Sequence, residues 1–284
     1  MSFLDRIAAC NTSDIDAYVP FRVDGQPVGW LRPEFAQHLA AWPEVFVLDD
    51  AEVRLRDSVQ GFEQRSKIIA GVIHSLIDQG LIGYDLREPY PVTTGDRERP
   101  LFLMDRGAVV HFGIRAFGQH LNGYVRRTDG LYMWIGRRAS DRRIAPGKLD
   151  NLVAGGLPHG IGLMDNLAKE CEEEAGITAE LARQAVQAGS ISYLAESGHG
   201  LKPDVMYCYD LELPEGFEPV CNDGEVESFD LMPIEEVAAI VRDSDDFKAN
   251  CSLVIIDFLI RHGLLGPTDP EYTALLTGLR RILS

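Results

Sequence analysis

Residues 154–177, AGGLPHGIGLMDNLAKECEEEAGI, carry four carboxylates within five positions, Glu170, Glu172, Glu173 and Glu174. The apolar spacing predicts a helix over 163–175. At roughly 100° per residue, Glu170, Glu173 and Glu174 stand at i, i+3 and i+4. They border an arc of Leu163, Met164, Leu167, Ala168, Cys171 and Ala175. Glu172 lies further round with Asp165 and Lys169, the last two spaced as a favourable surface pair. Like charges beside a core repel and lose hydration, and the last helical turn disfavours anions. A divalent cation answers both problems, and oxygen-only ligands point to Mg²⁺ or Mn²⁺. Taken alone, the helix is equally compatible with an acid-rich end that faces water.

The flanks decide between these readings. Before the helix, Gly155, Gly156 and Gly160 with Pro158 form a loop whose backbone can approach a ligand closely. After it, Gly176-Ile177 reads as a glycine cap with an apolar follower. Loop, helix and cap together resemble the Nudix box, G-x5-E-x7-R-E-U-x-E-E-x-G-U, where U is bulky and aliphatic. Gly155, Glu170, Glu173, Glu174, Gly176 and Ile177 match that pattern. Ile161 stands at the loop glutamate, Lys169 at the arginine and Cys171 at the first U.

The resemblance extends over residues 117–162 (FGQHLNGYVRRTDGLYMWIGRRASDRRIAPGKLDNLVAGGLPHGIG) and 210–232 (DLELPEGFEPVCNDGEVESFDLM). These are similar to the Nudix branch that includes plant chloroplast enzymes and the Nudix half of a fission-yeast thiamine pyrophosphokinase fusion. It implies an α/β/α sandwich over 113–284, with C-terminal helices, behind an extra N-terminal α+β domain over 1–112. It implies a metal-dependent pyrophosphohydrolase acting on thiamine diphosphate, or its oxo- and oxy- analogues, to give the monophosphate. Glu170, Glu173, Glu174 and the Ala154 carbonyl are the implied metal ligands, with Mg²⁺ or Mn²⁺ as cofactor. Glu173 is either a second-metal ligand or the base, and Glu225 is a second candidate for the base. ADP-ribose or another nucleoside diphosphate derivative is the alternative substrate. A ligand sensor without turnover is the alternative class, motivated by Ile161 and Lys169.

Further candidates lie outside the box. Arg137, Arg138, Arg142, Arg143 and Lys148 form a basic stretch in an acidic chain, and an arginine fork suits diphosphate oxygens. Arg137, Arg138 and His159 are the substrate candidates taken forward. His120 with Asn122 could bond a substrate, and Trp30 or Trp134 could stack on a cationic ring. For each of these an ordinary structural place is the competing reading. Alternation along a strand would put Glu225 and Glu227 on one side.

The elements that must position these residues are legible in outline. Asp24-Gly25 between apolar runs predicts a hairpin, and 60–80 an amphipathic helix stopped near Gly80. Strand-like runs follow at 109–114, 123–127, 131–138, 191–197, 204–213 and 226–232, and helical patterns at 178–187, 233–243, 250–263 and 269–283. The order lacks regular βαβ alternation, as expected of an α/β sandwich and not a doubly wound sheet. Among 284 residues, 45% are hydrophobic and the formal net charge is −17, which disfavours nucleic-acid and anionic membrane partners. Five scattered cysteines lack metal or disulfide spacing and fit a reducing compartment. A cytoplasmic protein with a small-molecule diphosphate substrate is expected. The N-terminal domain either covers the site or forms a homodimer contact.

Overall fold

The computed structural model describes residues 1–283. It opens with α1 (Phe3–Ala9), followed by the hairpin β1 (Val19–Val23) and β2 (Gln26–Leu31), turning through Asp24 and Gly25, both at positive φ. Next come α2 (Pro33–His38), β3 (Phe46–Leu48), β4 (Val53–Leu55) and the long helix α3 (Phe62–Asp78). The first sheet runs β2-β1-β4-β3, with β1 and β4 parallel. Ile69, Val72, Ile73 and Leu76 of α3 close its core, as their helical spacing requires. A separate pair, β5 (Pro89–Val92) and β6 (Phe102–Asp105), leads into α4 (Arg106–Phe112).

The stretch 109–114, expected as a strand, lies mostly in α4. The β-branched Val109-Val110 suggested extension, but two local caps outweigh that preference. The Asp105 carboxylate accepts the Gly107 amide at 2.7 Å, and Gly113 ends the helix in the left-handed conformation.

Beyond α4 the main sheet is built from β7 (Ala116–Arg127), β8 (Gly130–Arg138), β9 (Leu149–Asp150) and β10 (Val153–Gly156). Then come α5 (Leu163–Ala175), α6 (Ala179–Ala182), β11 (Val186–Ser197), β12 (Gly200–Glu212), β13 (Val226–Pro233), α7 (Ile234–Asp243), α8 (Ala249–Arg261) and α9 (Tyr272–Gly278). The strand order is β11-β12-β7-β8-β13, with β10 paired to β7 and β9 to β8. β7 and β12 are parallel neighbours, and the rest of the sheet is antiparallel. The helical patterns read at 178–187 and 269–283 shorten to α6 and α9. Strand β11 takes over from Val186 and pairs along its length with β12.

Side chains alternate across this sheet and fill two layers. Leu121, Val125, Tyr209 and Leu211 face Leu167, Cys171 and Ala175 of α5. Met133, Ile135, Met206 and Cys208 face Val254, Ile255 and Phe258 of α8. This is the α/β/α sandwich the resemblance implied. Phe3 and Ile7 of α1 belong to the α8 layer, so the chain's first helix packs with the second unit, away from the 1–112 core. All five cysteines are free thiols. Among the described residues, no helix is long and apolar enough to cross a membrane.

Candidate active site

The acidic helix occupies the bounds its periodicity predicted. Gly176 takes φ 64°, and its amide donates to the Glu172 carbonyl while Ile177 donates to Cys171 at 3.0 Å. The left-handed glycine ends the helix, with Ile177 fully buried as its apolar anchor. The loop before β13 supplies further donors to this helix end. Val220 and Asn222 amides reach the Ala175 and Glu173 carbonyls, and the Asn222 side chain reaches Glu172. These donors offset part of the negative pole on which the carboxylates stand.

Asn166, which the periodicity did not single out, anchors the other end. Its buried amide donates to the Gln119 side chain at 2.8 Å and the Gly156 carbonyl at 3.0 Å. The Gln119 amide in turn donates to the Leu163 carbonyl at 2.8 Å. Strand β7, strand β10 and the start of α5 are thereby locked together.

Glu174 is buried against β10, 7% exposed, and its carboxylate accepts the Ala154 amide at 2.8 Å. Burial pushes its pKa up to about 8, with the Ala154 bond opposing and the charges of Asp150 and Glu170 adding to the rise. Glu170 is also raised, chiefly by burial, and Lys169 opposes that shift. A Cβ on Gly155 would lie 2.5 Å from the Glu170 carboxyl, so glycine there makes room for the acid. Glu173 is half exposed and paired with Lys169 at 2.7 Å; the same ammonium reaches Glu170 at 3.2 Å. Lysine at the arginine position therefore bridges two of the carboxylates.

Glu225 lies just before β13, close enough for its charge to raise Glu170. It pairs with Arg142 at 2.6 Å. Glu227 is exposed, at a bulge between Val226 and Ser228 where the strand register shifts. Glu174 and Glu170 thus lie against β10, Glu173 is tied to Glu170 through Lys169, and Glu225 is near enough for its charge to act on Glu170.

The substrate candidates divide. Arg138 is committed inward, to Asp150 at 2.7 Å and the Ile144 carbonyl at 3.1 Å. Arg137 donates to the Gly147 carbonyl at 2.9 Å, and half-buried His159 packs against Phe62. Arg143 lies over the Tyr84 ring at 3.9 Å. His120 and Asn122 are buried in the α8 layer, away from the glutamates. The His120 ring bonds Asn151 at 2.9 Å, and Asn122 donates to Asp210 at 3.0 Å. Burial, then Lys248, lowers the His120 pKa to about 4. Trp30 packs beside Tyr18, Leu194 and Leu201, and half-buried Trp134 on the α5 side of the sheet.

His120, Asp150 and Cys251 also bring potential ligand atoms within 4.8 Å of one another. Their one carboxylate is already paired without an ion. Lys248 at 3.2 Å and Arg138 both reach Asp150, and the Cys251 thiol, held well above its ordinary pKa by burial, donates to it at 2.6 Å. The glutamates on α5 are the better fit to a hard divalent cation. They are oxygen donors, and Glu174, its pKa raised by burial, has no cationic side chain bonded to it among the described residues.

A NUDIX domain profile matches residues 120–251, and a profile described as a domain of unknown function (DUF4743) matches residues 2–116. Nudix hydrolase 20, chloroplastic, of Arabidopsis thaliana is 42% identical across 98% of this chain and 77% of its own length. An uncharacterized protein of Saccharomyces cerevisiae is 34% identical, covering 84% of this chain and 75% of its own. The solved NUDIX domain of Shewanella oneidensis NrtR aligns with a TM-score of 0.43 at 12% identity, over 57% of this chain and 94% of that one. The chain belongs to the Nudix hydrolases, divalent-metal-dependent enzymes that act on small-molecule diphosphates.

Proposed function

We propose that the chain hydrolyses the diphosphate linkage of thiamine diphosphate or its oxidised analogues, releasing the monophosphate. The observation that carries the chemistry is the burial of Glu174 beside Glu170 on the Gly155 cradle. Two acids held in that way, with one backbone amide as the only bonded partner of Glu174 among the described residues, suit a divalent cation. The choice of thiamine compounds is supported by the resemblance over 117–162 and 210–232.

Bound Mg²⁺ or Mn²⁺ would neutralise the diphosphate oxygens and acidify the attacking water. Glu170 and Glu174 would hold it, with Glu173 and the Ala154 carbonyl as further ligands. Lys169 keeps Glu170 and Glu173 in one arrangement, which answers the departure at the arginine position. Glu225, steadied by Arg142, is the proposed acceptor for the proton released from water, with Glu173 as the second candidate.

The test incubates wild type and Glu174→Gln with Mg²⁺ or Mn²⁺ and a panel of thiamine diphosphate, its oxo- and oxy- analogues, and ADP-ribose. Products are resolved by mass. Thiamine-type monophosphate release that the variant loses supports the reading. Release of AMP in its place moves the substrate to nucleoside diphosphate derivatives, and ligand binding with no product at all overturns the reading.

A further inference from the structure

The turn at 158–161 stands where the Nudix pattern has its loop glutamate, yet here that position is Ile161. Something else must hold the turn, because its backbone has little support of its own. Gly160 sits at φ 87°, and no hydrogen bond closes within the turn among the described residues. Every hydrogen bond it makes there goes to the N-terminal domain. The His159 amide donates to the Pro89 carbonyl on β5 at 2.8 Å. Arg97, between β5 and β6, donates from one guanidinium nitrogen to the Pro158 carbonyl at 2.6 Å and the Ile161 carbonyl at 2.8 Å. Those two carbonyls bracket His159-Gly160, so a single nitrogen ties the turn closed.

Arg97 is 6% exposed. Its other terminal nitrogen meets Glu98, whose carboxylate is largely in solvent. Burying a guanidinium is costly unless its donors are used, and the partners inside this interface are the turn's carbonyls. The same contact face continues to β10. A Cβ on Gly156 would lie 2.3 Å from the Tyr90 hydroxyl, so the two domains meet without a gap beside the metal-holding strand.

We infer that Arg97 is a positioning residue: the N-terminal domain acts in place of the missing loop glutamate and holds the 158–161 turn so that β10 and α5 present their metal ligands in register. The inference rests on the reading of 154–177 as the metal-holding element. It gives the N-terminal domain a function within one chain.

The experiment compares full-length wild type, Arg97→Gln and Arg97→Lys, with Arg32→Ala as a control. Arg32 also joins the domains, through Glu196 and the Ser197 carbonyl, but far from the turn. Free Mn²⁺ is titrated by electron paramagnetic resonance, melting is followed in chelator, and kcat and KM are measured on the substrate found above. Loss of a group that orients metal ligands costs about 10–100-fold in affinity or rate. Arg97→Gln is expected to raise the Mn²⁺ dissociation constant and lower kcat by that factor, with KM within about twofold. Arg97→Lys, with a compact ammonium in place of the fork, falls between, and Arg32→Ala matches wild type in Mn²⁺ affinity. If Arg97→Gln melts earlier but binds Mn²⁺ and turns over as wild type does, Arg97 is only an interdomain tie and the inference fails. Should Arg97→Gln not fold, Arg97→Lys decides by the same comparison. If wild type turns over nothing on the panel, the proposed function fails, while the Mn²⁺ titration still decides the role of Arg97.

Discussion

The Ala154 amide donates to the Glu174 carboxylate at 2.8 Å across the gap between β10 and α5. One bond fixes the acid to the strand that carries the glycine cradle, while burial makes its charge unfavourable without a cation. The Glu174→Gln variant keeps the shape and removes the charge. Its activity is expected to fall on the order of 100-fold or more, the scale seen when a group facing developing charge is lost. Its fold is expected to persist, as far-ultraviolet circular dichroism would show. An intact rate would rule Glu174 out as a metal ligand.

Stability should report the same charge through pH. Glu174 has a folded pKa near 8 against 4.5 unfolded, so the folded chain binds that proton more tightly. Its favourable contribution is complete below about pH 4.5 and is lost as pH rises towards 8. The melting temperature in chelator should therefore fall across that window more steeply in wild type than in Glu174→Gln. Saturating Mg²⁺ should remove most of the difference, because the metal binds the ionised form. Parallel melting curves for the two proteins in chelator would contradict the assignment.

Gly155 tests geometry without charge. Its φ is not positive, so alanine suits the backbone, and the three nearest atoms to an added Cβ are the Cδ, Oε2 and Cγ of Glu170, at 2.5, 2.5 and 2.7 Å. Gly155→Ala should change stability by less than about 1 kcal/mol while displacing Glu170. The expected signature is weaker Mn²⁺ binding and lower kcat at nearly unchanged melting temperature. A variant as active as wild type would mean that the position of Glu170 does not matter.

The helix and the placement of its acids were readable because both follow local rules. Periodicity placed α5 at 163–175, Gly176 marked its cap, and the spacing of Glu170, Glu173 and Glu174 set them beside the core. What could not be read depends on partners distant in the chain. Arg97 looks like any loop arginine until Pro158 and Ile161 fold against it. His120 and Arg138 looked available for substrate because nothing local reveals Asn151 or Asp150 as their partners. The bulge at Glu227 leaves no trace in hydrophobic alternation. The helix at 106–112 was hidden by two valines whose strand preference is weaker than the caps at Asp105 and Gly113.

Asp150 carries the last prediction, because the layer beneath the site depends on it. This carboxylate holds Arg138 at 2.7 Å, Lys248 at 3.2 Å and the Cys251 thiol, joining β8, β9 and α8. Burial alone would raise its pKa, but Lys248, then His120, Cys251 and Arg138, bring it down to about 2. The sign is opposite to that of Glu174. With a folded pKa below the unfolded 3.8, its contribution is present above pH 3.8 and lost as pH falls towards 2. Asp150→Asn leaves two cations without their counter-charge, which typically costs about 3–5 kcal/mol. Denaturant unfolding at pH 7 should show a loss of that size, partly recovered in Asp150→Asn with Lys248→Met, where one stranded charge is removed. Were the three atoms of His120, Asp150 and Cys251 a metal site instead, chelator would destabilise wild type and leave Asp150→Asn unaffected even when the α5 site carries Glu174→Gln. The ion-pair reading expects no such chelator effect in that Glu174→Gln background, with the loss in Asp150→Asn the same with and without metal.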